Sequence, residues 1–246
     1  MHQLVRLEVR RALRNKKFLF FSVVHPTALF LLIGGTRNGT TPVLGTELTL
    51  AAFYMVAMAS FGALTAALMG NSERIAKERE KGWVRQLRLT ALPGRGYVLA
   101  KTASAGVIAL PSIVVVFVVA AVVKDVRLDA WQWAALTGAI WAGSLVFAAL
   151  GVALGYLVSG DAARPVTMIV YFGLSLLGGL WMPTTVYPQW LRSLAAWLPT
   201  HAYAALGQAI ELGHAPQVSD VALLTGYFVL FAGAAAWLYR KDSLKA

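Results

Sequence analysis

Residues 71–95 read NSERIAKEREKGWVRQLRLTALPGR, a charged island between two long apolar runs. It carries Arg74, Lys77, Arg79, Lys81, Arg85, Arg88 and Arg95 against Glu73, Glu78 and Glu80. The flanking runs, 48–70 and 97–123, are each long enough to cross a bilayer core, which takes about 20 apolar residues. A polar lever hung between two spans is a place where something in the cytoplasm can push or pull on them.

Outward from the island, further apolar runs occupy 18–35, 131–158, 165–182 and 221–239. Apolar residues make up 58% of the chain and charged residues 13%, against about 25% charged in soluble domains. The sequence therefore predicts an all-α polytopic membrane protein of six transmembrane helices, forming a single domain over 1–246. A β-barrel would instead show alternating segments of about ten residues.

The net charge of +11 does not point to nucleic acid, because it is distributed by side of the membrane. With the N-terminus placed in the cytoplasm, the outside segments hold only Arg37, Lys124, Arg127 and Arg192, and the other 18 of the 22 Lys and Arg fall inside. That asymmetry is the positive-inside pattern and predicts cytoplasmic termini. There is no cysteine, which removes disulfides, thiolate metal sites and thiol nucleophiles. The first apolar run is longer than a signal-peptide core and lacks a small-x-small cleavage site, so it reads as a retained span.

Residues 3–17 have the pattern of an interfacial amphipathic helix, with Val5, Val9, Ala12 and Leu13 on one face and Arg6, Arg10 and Arg14 on another. A plain topogenic flank would also be cytoplasmic. Pro26 removes one hydrogen bond from the first span and bends it. His25 beside it is either a packed neutral imidazole or an intramembrane functional group. In the second span Gly62, Ala66 and Gly70 share one face, while Tyr54, Met58, Phe61 and Thr65 share another that either packs or lines a path. Gly151 and Gly155 form a small-xxx-small pair suited to close helix approach. Trp131 and Trp133 are interfacial anchors. Residues 183–213 are too polar for a span and too apolar for an exposed loop, with Leu191, Leu194 and Leu198 in a stripe. They read as a re-entrant extracytoplasmic segment between the fifth and sixth spans.

No phosphate-binding G-x-x-x-x-G-K-[ST] and no H-E-x-x-H occur, and intramembrane carboxylate pairs are missing. Glu211 is the one acid in the re-entrant stretch. The chain thus lacks its own means of hydrolysing nucleotide, and no metal or catalytic residue is expected.

In order along the chain, Glu78-Arg79-Glu80-Lys81-Gly82, Gln86-Leu87, Thr90-Ala91-Leu92-Pro93, Gly178-Gly179-Leu180-Trp181-Met182-Pro183, Tyr187-Pro188-Gln189-Trp190-Leu191 and Leu198-Pro199-Thr200-His201-Ala202-Tyr203 resemble the membrane subunit (permease) of ABC-2-type ABC transporters. That family contains bacterial drug, lipid and polysaccharide exporters. The resemblance implies a plasma-membrane subunit, non-catalytic itself, driven by a separate ABC ATPase that binds the ATP and magnesium. It implies a coupling element made of Glu78, Arg79, Glu80, Gly82, Trp83, Val84, Arg85, Leu87, Arg88 and Ala91. Val84, Leu87 and Ala91 would enter a groove on the ATPase, and Arg85 and Arg88 would meet its acidic rim.

It also implies two membrane subunits, identical or paralogous, whose second and fifth spans line the path through Tyr54, Met58, Phe61, Thr65, Thr167, Tyr171 and Ser175. Trp83, Arg85 and Gln208 depart from residue types frequent in the family. An apolar, aromatic path suits a small hydrophobic or amphiphilic substrate, a drug or lipid-like compound, better than an ion or sugar. A ligand-binding sensor or immunity protein and a lipid-modifying membrane enzyme are the other classes; the latter wants clustered carboxylates or histidines that the sequence lacks.

Overall fold

The computed structural model describes residues 6, 7, 9, 10, 14–34, 42, 43, 47–81, 94–158 and 160–244. Among these residues five helices are long and apolar enough to cross a membrane: α1 (Lys16–Ile33), α2 (Leu50–Glu80), α3 (Gly94–Val123), α4 (Ala130–Leu157) and, after three shorter helices, α8 (Val218–Leu244). Between α4 and α8 lie α5 (Ala163–Leu177), α6 (Gln189–Ala195) and α7 (Pro199–Glu211). Among the described residues the only β feature is an isolated bridge between Pro42 and Thr49.

The expected fifth span, 165–182, is the one that differs. Its helix has 15 residues, about 22 Å, which is short of the hydrocarbon thickness. It stops because Gly178 closes the last turn and Gly179 takes φ +86°, a left-handed conformation that glycine reaches without a Cβ clash. The chain then folds through a single turn at Thr184–Val186 into α6 and α7. The leucine stripe expected in this segment is no core face: Leu194 is half exposed and the buried residue of α6 is Ala195. The core face belongs to α7, through Ala202, Tyr203, Leu206 and Ile210.

The two ends of the first amphipathic reading fall differently. Of residues 3–17, those at 3–5, 8 and 11–13 lie outside the described residues. Within α1, residues Phe20–Val24 form a π-turn just before His25-Pro26, with the His25 N–H donating to the Phe20 carbonyl.

α2 is the central and most deeply buried helix, with α4 next; α1 and α8 sit at the periphery, largely exposed. α4 packs against α2, α3, α7 and α8. The Gly151/Gly155 pair makes its approach to α2: Gly151 faces the backbone of Ala67 and Leu68, and Gly155 faces Ile75. Tyr203 of α7 seats over Gly143 and donates to the Ile140 carbonyl at 2.8 Å, which joins α7 to α4.

Candidate functional site

The charged half of α2 extends the helix past the apolar run. Residues 70–80 are rich in Glu, Arg, Lys and Ala, which lose little on entering a helix, so the helix continues through Glu80. A π-turn at Thr65–Met69 separates this half from the apolar half. Helical spacing then sends Asn71, Ser72, Ile75, Ala76 and Glu78 inward and leaves Lys77, Glu80 and Lys81 exposed.

Glu78 is buried against α3. The Lys101 ammonium lies 2.9 Å from its carboxylate, and the Tyr97 hydroxyl donates to Oε2 at 3.0 Å. Tyr97 and Lys101 are one helical turn apart, so both reach the same acid. The Lys101 side chain is 1% exposed, which makes this a desolvated pair held by a third, neutral donor. Asn71 adds a bond from Nδ2 to the Ala148 carbonyl at 3.2 Å.

Arg79 turns the other way. Its Nη1 donates to the Gly155 carbonyl at 3.1 Å and the Val158 carbonyl at 3.4 Å, and its Nη2 meets Asp242 of α8 at 2.8 Å. The guanidinium thus occupies the C-terminal end of α4, where carbonyls lack helical partners and the helix dipole favours a cation. It also lies 5.3 Å from the centroid of the Tyr156 ring. Tyr97, Tyr156 and Tyr239 close the space between α3, α4 and α8, with Tyr97 and Tyr239 stacked at 5.8 Å. Two adjacent residues, Glu78 and Arg79, therefore tie α2 to α3, α4 and α8 at one level.

Of the residues expected to form a coupling element, Glu78 and Arg79 are drawn into this joint and Glu80 is exposed beside it. Gly82, Trp83, Val84, Arg85, Leu87, Arg88 and Ala91 lie outside the described residues. The partners Tyr97, Lys101 and Asp242 escaped the sequence reading. A lysine five residues into an apolar run was the available signal, since a charge there needs a partner.

The seven residues expected on the path converge within one chain. Thr65 Oγ1 and the Tyr171 hydroxyl are 2.7 Å apart, and Ser72 Oγ and Thr167 Oγ1 are 2.6 Å apart. The Phe61 ring contacts those of Tyr171 and Trp181 at 5.0 and 5.1 Å. Trp181 Nε1 donates to Ser175 Oγ at 3.2 Å, and Tyr54 donates to the Trp181 carbonyl at 3.2 Å. Met58 is buried beside them. These groups form a seam between α2 and α5 whose hydroxyls satisfy one another. Below it, Thr65 and Tyr171 face a cavity of about 440 Å³ bounded by α1, α2 and α5.

At the opposite end of the bundle, Asp129 caps α4 and Gln132 donates from Nε2 to the Ile210 and Glu211 carbonyls at 3.1 and 2.9 Å. The Glu211 carboxyl is buried with no hydrogen-bond partner among the described residues, and burial pushes it up to about 8.

Five spanning helices with a charged joint at one end define a multi-pass helical membrane protein. The profile of the ABC-2 type transporter family matches residues 1–212. Over 237 residues the chain is 30% identical to a Bacillus subtilis (strain 168) protein described as "Putative transport permease YvfS", covering 96% of this chain and 95% of that relative. The chain belongs to the ABC-2 type transporter family and is a transporter membrane subunit.

Proposed function

We propose that this chain is the transmembrane subunit of an ATP-driven exporter of hydrophobic or amphiphilic compounds, powered by a separate ATPase subunit. Two such membrane subunits, identical or paralogous, would work with two ATPases in a bacterial plasma membrane, both termini in the cytoplasm. The observation that carries the reading is the joint at Glu78 and Arg79. It lies where α2 leaves the apolar bundle for the charged stretch 82–91, and it ties that exit to three other helices. A displacement applied to 82–91 would be passed to α2, α3, α4 and α8 together rather than spent in bending one helix. α6 and α7 would cap the path outside. The aromatic and hydroxyl side chains of the α2–α5 seam carry no formal charge, which favours an amphiphile over an ion.

The test is co-purification in mild detergent with the candidate ATPase, comparing wild type with Glu80→Ala and Leu87→Asp. Both changes are expected to weaken the complex, and cells carrying the intact system are expected to expel at least one amphiphile from a panel. An ATPase that never associates with the wild type would remove the energy source. Transport of a polar polymer with no amphiphile moved would overturn the substrate class.

A further inference from the structure

A second cavity lies at the end of the bundle opposite the joint, and none of its lining residues belongs to the α2–α5 seam. It offers about 440 Å³ between the start of α2, the turn from α3 to α4 and the end of α7, within the roughly 300–1,000 Å³ of small-molecule sites. Five charged side chains line it: Glu47, Lys124, Asp125, Arg127 and Glu211. Arg127 is paired with Asp125. The Lys124 ammonium donates to the Leu31 carbonyl at 3.1 Å, near the end of α1. Glu47 is exposed and forms no ion pair among the described residues. Glu211 differs from the other four. It is 7% exposed, and both its carboxyl oxygens lack a hydrogen-bond partner among the described residues. The Gln132 amide beside it cannot serve, because its two hydrogens already go to the Ile210 and Glu211 backbone carbonyls.

A buried carboxyl without a donor either keeps its proton or takes a cation that brings donors with it. Three acids face two bases here, so the cavity is short of one positive charge whenever Glu211 is ionised. A bare metal ion fits poorly. Calcium takes about six to eight oxygen ligands, and no three His, Cys, Asp or Glu side chains converge on one point among the described residues. A metal would also leave the apolar part of the lining, Leu48, Val126, Leu128 and Leu212, without a function. A primary ammonium carries one charge and three N–H donors, and an attached apolar body covers those walls. We propose that this cavity binds a primary ammonium compound with a compact apolar body, its N–H groups donating to Glu211 and its body against Leu48, Val126 and Leu212, while Glu47 adds a second negative charge. Binding is read on the isolated chain, so a failed transport assay would leave this site standing.

Isothermal titration calorimetry of the full-length protein in a neutral detergent tests this, comparing phenethylammonium with neutral phenethyl alcohol. Hydrogen bonds to a charged group are worth about tenfold or more in affinity, so one ammonium per chain should bind at least about tenfold tighter than the alcohol. Glu211→Gln should remove that preference. Asp220→Asn, an equal loss of charge at the start of α8 and away from the cavity, should keep it. Leu212→Trp leaves every charge in place and narrows the cavity, and should also weaken binding. A proton on Glu211 competes with the ammonium, so acidifying from pH 8 to pH 6 should weaken wild-type binding by up to about fiftyfold, and Glu211→Gln should lose that dependence although Glu47, Lys124, Asp125 and Arg127 remain. The proposal is overturned if Glu211→Gln or Leu212→Trp binds as wild type, or if wild-type binding is flat between pH 6 and pH 8. Equal binding of the alcohol would overturn it by showing an apolar pocket only, and displacement of the ammonium by equimolar calcium chloride would do so by assigning the site to a metal.

Discussion

Replacing Lys101 by Met removes the cation from the α2–α3 joint while keeping a side chain of similar length. The ammonium is 1% exposed and lies 2.9 Å from the Glu78 carboxylate, so its loss leaves a buried anion with the Tyr97 hydroxyl as its chief remaining donor. Breaking one side of such a pair costs about 3–5 kcal/mol. For a chain of this size each kcal/mol shifts the unfolding midpoint by about 2–4 °C, so Lys101→Met should lower it by about 6–20 °C. Glu78→Gln combined with Lys101→Met removes both charges and should recover most of that loss, because the penalty lies in the unpaired ion and not in the missing attraction. The assay is thermal unfolding of purified protein in one detergent for wild type, both single variants and the double. The reasoning fails if Lys101→Met costs under about 1 kcal/mol, or if the two single losses simply add in the double variant.

Four further outcomes follow from the geometry. A Cβ at Gly151 would lie 2.6 Å from the Leu68 carbonyl, a backbone atom that cannot turn aside, so Gly151→Ala should cost about 1–3 kcal/mol in the same thermal assay. Gly138→Ala, with nothing within 4 Å, should be neutral or slightly stabilising. Tyr171→Phe removes the 2.7 Å bond to Thr65, but Thr65 keeps its 2.8 Å bond to the Phe61 carbonyl, so the cost should be about 1 kcal/mol and should largely vanish in a Thr65→Val background. Glu211 releases its proton near 4.5 in the unfolded chain and near 8 in the folded one, so its contribution is fully present below the first value and is lost as pH rises through the second. The midpoint should therefore fall between pH 6 and 9, by the equivalent of up to about 1.4 kcal/mol per pH unit below the folded value, whereas Glu211→Gln should be flat.

The helices of this protein were legible because apolar run length is a direct physical requirement of the bilayer. Runs 48–70, 97–123, 131–158 and 221–239 reappear as α2, α3, α4 and α8, with α2 carried on to Glu80 by the helix-forming polar residues that follow its apolar run. The fifth run was misjudged in length because Gly178 and Gly179 are apolar in composition, yet they end the helix by conformation. Within α2, helical spacing put Tyr54, Met58, Phe61 and Thr65 on one face, since spacing fixes which side chains share a face, whereas Thr167, Tyr171 and Ser175 of α5 came only with the family resemblance. Whether that face looks at a neighbour or at open space depends on tertiary packing. The joint was visible only in half: its acid and arginine stood out in a charged stretch, but their partners sit 23 and 163 residues away, where no local pattern connects them.

Those two separations give the joint a history as well as a geometry. During synthesis the N-terminal helices emerge first. The Glu78–Lys101 contact needs only the 23-residue interval between them, so it can close once α3 has entered the membrane. The seat of Arg79 on the Gly155 and Val158 carbonyls waits for the end of α4, and Asp242 arrives only with the last helix. A chain truncated before Asp242 would hold α2 against α3 and α4 and leave its guanidinium without an anion. The finished joint is thus a record that all the spanning helices have been inserted, written at the point where the charged stretch leaves the bundle.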